Sequence, residues 1–210
     1  MNGKKYCFLL LLTLFLLLPM KSYASAENLY YASGNYVTQA PINPIKGLTF
    51  YVDNSAITTY GSVFTVAFDW NGDYKGKVSA VAQYPASSSD FPGYFNINTR
   101  AFSLDVKGQT FFYTRWGDLV TATNPMDSYS IYKAKISINS NRSVFNIENK
   151  FNSTYLAKTI RHEVGHVFLL NHPINQYIMS IMHQGEPNNS TISSTISSND
   201  KNNVLIKWGN

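Results

Sequence analysis

The segment from His162 to His172 reads His-Glu-Val-Gly-His-Val-Phe-Leu-Leu-Asn-His, and it constrains the fold more than any other part of the chain. Residues four apart on an α-helix lie on one face, one turn above the other. His162 and His166 therefore present two imidazoles to a common point, with Glu163 one step round. His172 lies too far along for a continuing helix to bring it back. The helix has to stop and the chain has to turn if His172 is to join the pair. All 4 histidines of the 210-residue chain (His162, His166, His172 and His183) fall in or just after this segment.

A helix here is supported on other grounds. Leu156, Ile160, Val164, Val167 and Phe168 form an apolar stripe at helical spacing, and Asn152, Ser153 and Thr154 are candidate N-caps. The spacing predicts a core helix over 154–169. Three protein ligands with an open fourth position suit a catalytic zinc rather than a structural one. Zinc lowers the pKa of water to about 7 and polarises a carbonyl. Glu163 is placed to take the water's proton as general base and to hand it to a leaving amine.

The N-terminus has the form of a secretory signal. Lys4 and Lys5 precede an apolar run from Phe8 to Leu18, Pro19 ends the run, and Ala24-Ser25-Ala26 offers a small-x-small cleavage site. The run is shorter than the ~20 residues a membrane span needs. The expectation is a secreted protein cut near Ala26, with residues 27–46 as an N-terminal arm or short pro-segment and 47–210 as one domain. Loss of Lys4, Lys5 and Lys21 lowers the formal charge of +5, and the remaining basic residues are scattered. No phosphate-binding stripe exists, so nucleic acid is not an expected partner, nor is a membrane after cleavage. The single cysteine, Cys7, lies in the leader, which excludes disulfides and thiolate chemistry in a chain cut near Ala26.

Strands are expected at 48–52 (Leu-Thr-Phe-Tyr-Val), 78–83, 101–106, 110–115 and 130–139, with a loop over 84–98. Asp53 to Ser55 can cap a helix in which Ile57, Tyr60, Phe64 and Phe68 recur at helical steps, although Gly61 weakens it. Lys133 and Lys135 alternate with apolar residues, a pattern that protects an exposed sheet edge. Ser197 or Ser198 can cap a last helix that buries Val204, Leu205 and Trp208.

The segment resembles the metzincin zinc-protease motif His-Glu-x-x-His-x-x-Gly-x-x-His. His162, His166 and His172 match its ligands and Glu163 its base, while Leu169 stands where the motif has Gly. Ile178-Met179-Ser180-Ile181-Met182-His183 is similar to the Met-turn of that clan, with Met182 the better match and Met179 the second. The resemblance is nearest to matrixin-like single-domain forms. It implies an α/β fold: a twisted, mostly parallel sheet with one antiparallel edge strand, two long helices and a C-terminal helix. It also implies a monomeric endopeptidase with one Zn2+, acting on a peptide that pairs with the edge strand near Ile136, Ser137 and Ile138. Tyr177 would line the pocket beside the zinc. A structural Ca2+ is compatible with the clan but has no motif in the sequence. Without Gly, either Leu169 continues the helix and Asn171 carries the turn, or Leu169 is strained in a left-handed conformation, at about 1–2 kcal/mol.

Two other readings arise. Glu186, at a thermolysin-like distance from His166, could be the third ligand in place of His172, but it lies between Gly185 and Pro187, where no helix forms. Alternatively the zinc is a structural staple in a secreted binding module, a reading that Leu169 favours and Glu163 opposes. His183 is expected at the surface near the cleft.

Overall fold

The structure is a computed structural model and describes residues 35–36, 48–70, 80–83, 95–114, 116–120, 130–175, 177–184 and 194–208. The proposed leader and Glu186 lie outside these residues. No described helix is long and apolar enough to cross a membrane.

The fold is mixed α/β. The strands are β1 (Asn35–Tyr36), β2 (Leu48–Val52), β3 (Ala80–Gln83), β4 (Phe95–Arg100), β5 (Gly108–Tyr113), β6 (Leu119–Val120), β7 (Ser130–Ile131), β8 (Lys133–Asn139), β9 (Asn146–Ile147) and β10 (Lys150–Phe151). The helices are α1 (Asn54–Tyr60), α2 (Ser153–Val167) and α3 (Ser198–Trp208). Six strands form the main sheet in the order β3-β2-β4-β8-β5-β6. The pairs from β3 to β8 are parallel, and β5 runs antiparallel to both β8 and β6. β1 pairs with β7, so part of the 27–46 arm is tied to the domain.

Alternation along the strands builds the core. Leu48, Phe50 and Val52 of β2, Phe95 and Ile97 of β4, and Ala134, Ile136 and Ile138 of β8 are all buried. Phe50 and Phe95 meet edge to face with centroids 4.1 Å apart, a favoured aromatic geometry. β4 is a strand where a loop was expected, and residues 101–106, expected as a strand, lie in the connection from β4 to β5. Asn96 and Asn98 hide the β4 pattern because Asn is depleted in strands. Register with β2 and β8 overrides that preference.

The first long helix is composite. Asp53 caps α1 by accepting from Ser55 N–H at 2.8 Å. Gly61, at φ +65, ends α1, and a 3-10 helix continues over Gly61–Trp70. Only a residue without a Cβ takes that backbone without cost. Trp70 Nε1 donates to the Arg161 carbonyl at 2.9 Å, and Arg161 pairs with Asp69 at 2.6 Å, which ties this element to α2.

β8 is not the edge strand. It lies between β4 and β5, with both backbone edges paired, and Ile136, Ser137 and Ile138 are buried in the sheet. A peptide cannot add there, which corrects the expectation for those three residues. The lysine pattern has another use: Lys133 Nζ sits 5.1 Å from the ring centroid of Tyr113 on β5. The antiparallel strand beside the cleft is β5. β6 pairs only with its last two residues, Phe112 and Tyr113.

Candidate active site

α2 is capped by Asn152, whose side chain accepts from Tyr155 N–H at 3.0 Å. It delivers His162 and His166 on one face, and the chain after it brings in His172. One ring nitrogen from each of the three lies within 4.8 Å of the others. Nε2 of His162 and Nε2 of His172 are 3.1 Å apart. Tetrahedral zinc with nitrogens at about 2.0–2.1 Å separates its ligands by roughly 3.3 Å. The trio therefore fits one ion.

The other ring nitrogen of His162 and of His166 is held by an acceptor. His162 Nδ1 donates to the Ile181 carbonyl at 3.0 Å, and His166 Nδ1 to the Leu170 carbonyl at 2.9 Å. Each bond fixes the tautomer that leaves Nε2 as a lone-pair donor. Burial holds His166 down to about 4 and pushes His162 and His172 below the usual imidazole range, with neighbouring histidine charges adding to the effect. Neutral imidazole is the form a metal needs.

The turn to His172 forms at Leu169. Its φ is +62, and Phe168 is the C-cap of α2. Leu169 N–H donates to the His166 carbonyl at 2.8 Å and Leu170 N–H to the Gly165 carbonyl at 3.1 Å. These two bonds make a Schellman motif with leucine in the glycine position. Asn171 does not carry the turn; its Oδ1 instead accepts from His172 N–H at 2.8 Å. Leu169 is fully buried, so packing compensates the backbone strain. Leu169→Gly should relieve about 1–2 kcal/mol of strain but lose a buried side chain worth about 2–5 kcal/mol. A net loss of about 0–4 kcal/mol is expected in urea unfolding. A variant more stable than the parent would show that packing does not hold the turn.

Glu163 is buried beside the histidines, and burial raises its carboxyl to about 7. Thr110 of β5 donates its hydroxyl to Glu163 Oε2 at 2.7 Å. A Cβ at Gly108 would lie 3.1 Å from Glu163 Cγ and 3.0 Å from Thr159 Cγ2, so glycine lets β5 approach α2. Neither contact was legible in the sequence. Residues 108 and 110 meet Glu163 only through strand register, and nothing local marks them.

Met182 is fully buried beneath α2. A Cβ at Gly165 would overlap Met182 Sδ and lie 3.2 Å from Trp70 Cζ2, so the glycine of His-Glu-Val-Gly-His makes room for the methionine. Met179, the second candidate, is exposed. Asp200 at the start of α3 ties the turn down. It accepts from Ser180 Oγ, from Ile181 N–H at 2.9 Å and from Ser197 N–H at 2.8 Å. Trp208 Nε1 at the other end of α3 donates to the Phe168 carbonyl at 2.8 Å. His183 is buried, not superficial, and bonds the Ile178 carbonyl through Nε2.

Beside Glu163 opens a cavity of about 400 Å³ between the 105–108 segment, the first half of α2 and His183–Gln184. Tyr177 is 78% exposed and is not among the residues that line this cavity.

No family model matches the sequence, and no curated protein matches it. Among solved structures, the chain is similar to archaemetzincin from Methanopyrus kandleri, at 11% identity and a TM-score of 0.43 over 77% of this chain and 94% of that one. It is also similar to myroilysin, at 11% identity and a TM-score of 0.42 over 85% of this chain and 97% of that one.

Proposed function

We propose that the chain is a secreted, monomeric zinc-dependent endopeptidase of metzincin type, with residues 1–26 as its signal peptide. The observation that carries this reading is the set of three imidazole nitrogens within 4.8 Å, with a buried carboxylate on the same helix. His162, His166 and His172 would hold the ion. When bound, zinc supplies Lewis acidity toward a carbonyl and makes water acidic near neutral pH. Glu163 takes the proton of the attacking water and passes it to the leaving amine, and Thr110 keeps its carboxylate aimed.

The peptide lies along β5. Asn139 N–H donates to the Lys107 carbonyl, and bonded positions alternate in an antiparallel ladder. Gly108 and Thr110 therefore turn their backbone groups away from β8, towards an added strand. The binding-module alternative loses its motive, since Leu169 makes the helix stop that glycine would make.

The test is metal content together with casein hydrolysis. Purified protein should hold one zinc per chain. A chelator should abolish hydrolysis and zinc should restore it. His172→Ala should lose both metal and activity. Folded protein that takes up no zinc from an excess ends the reading. Retained zinc in His172→Ala, with loss in Glu186→Ala, would transfer the third ligand to Glu186.

A further inference from the structure

Glu163 has two carboxylate oxygens, and β5 treats them differently. Thr110 Oγ1 donates to Oε2 at 2.7 Å and also lies 3.0 Å from the Glu163 carbonyl oxygen. A hydroxyl carries one proton, and its bond to an ionised carboxylate is the stronger of the two. The donor is itself held firmly. Thr110 pairs with Ile136 in the β5–β8 ladder, and a β-branched side chain has few rotamers open to it. The second oxygen meets Gly108. A Cβ there would sit 3.2 Å from Oε1 and 3.1 Å from Glu163 Cγ. Gly108 and Glu163 both line the cavity, and Thr110 is not among its lining residues. Oε2 therefore faces Thr110, and Oε1 faces Gly108 and the cavity.

We propose that Thr110 and Gly108 divide the two oxygens of Glu163: the Thr110 hydroxyl holds Oε2 and fixes the carboxylate, and the missing side chain at Gly108 keeps Oε1 open as the atom that takes the proton. The proposal rests on the peptidase reading above and adds two positioning residues to it. One proton leaves the attacking water for Oε1 as the water oxygen bonds the carbonyl carbon and the C=O π pair moves onto the carbonyl oxygen. The same proton then passes from Oε1 to the amide nitrogen as the carbonyl re-forms and the C–N bond breaks, its electron pair going to nitrogen. Glu163 ends ionised, as it began. Misplacing a reacting group by about 1 Å can cost about 10²-fold in rate, so a carboxylate free to rotate is a poor base.

The test compares Thr110→Val, which keeps the shape and removes the hydroxyl, with Thr110→Ser, which keeps the hydroxyl, in zinc-loaded protein acting on one peptide that the parent cuts. Thr110→Val should hold one zinc per chain and lower kcat by about tenfold or more, with KM within about threefold of the parent. Thr110→Ser should recover most of that loss. Gly108→Ala should also keep its zinc and lose about tenfold or more in kcat. In Glu163→Gln protein, Thr110→Val should cause no further loss, because the hydroxyl acts only through the carboxylate; a purely structural role would lower the residual rate again by the same factor. Another readout needs neither metal nor turnover. In crystals of the metal-free variants, the Glu163 carboxylate should stay within hydrogen-bond distance of residue 110 in Thr110→Ser and turn away in Thr110→Val, with Thr110→Ala in its place if the valine variant does not fold. An active parent whose Thr110→Val variant keeps its kcat, or loses as much again in the Glu163→Gln background, overturns the inference and leaves the peptidase reading standing. Unchanged kcat in Gly108→Ala overturns the part given to Gly108. A zinc-loaded parent that hydrolyses no peptide overturns both the inference and the reading beneath it.

Discussion

Glu163→Gln is expected to lower kcat for peptide hydrolysis by about 10²–10⁴-fold, the usual contribution of a positioned general base. The zinc content should not change, because the three imidazoles that would hold the ion are untouched. The fold should also survive. Thr110 can donate to the amide oxygen of glutamine as it does to Glu163 Oε2, and removing a buried carboxyl removes a group that burial already disfavours in its charged form. The two measurements separate loss of the base from loss of the site. Metal-loaded Glu163→Gln with kcat within tenfold of the parent would show that Glu163 is not the base.

Asp200→Ala should cost about 3–5 kcal/mol in urea unfolding, enough to threaten a domain whose total stability is typically about 5–15 kcal/mol. The carboxylate accepts from Ser180, Ile181 and Ser197, and it is fully buried. Removing it leaves several buried donors without partners, each costing about 1–3 kcal/mol. The damage should reach the metal. Asp200 holds Ile181, and the Ile181 carbonyl orients His162 through Nδ1. Zinc affinity should therefore fall by about 10–100-fold, the common cost of losing an outer-shell partner. Asp200→Asn keeps one acceptor oxygen for the backbone N–H groups and should recover much of both losses. Unchanged stability and zinc affinity in Asp200→Ala would mean that the turn holds without its link to α3.

Much of the site was legible because its information is local. The step from His162 to His166, the carboxylate between them and the apolar stripe of α2 lie within one helix, where sequence distance converts directly to position. His172 was legible only as a requirement that the chain turn. The residue that turns it, Leu169, breaks the local preference against a left-handed conformation, and that choice is made by packing in a fully buried position. Lys133 and Lys135 misled in the opposite way. Their alternation with apolar residues is a true strand signal, but whether a strand lies at an edge or in the centre depends on what pairs with it. β4 and β5 take the two sides of β8, and no residue within β8 records that.

By itself the sequence marked the helix that carries His162 and His166, the candidate ligands and candidate base, and the strands at 48–52 and within 130–139, all of which rest on short-range periodicity and side-chain chemistry. Tertiary structure alone decided the strand order, the place of β5 beyond β8, the contact of Thr110 with Glu163 and the gathering of Tyr155 and Lys158 around one cavity. Those outcomes depend on pairings between residues far apart in the chain. Their register is settled by burial of both faces at once and not by any preference a segment holds alone.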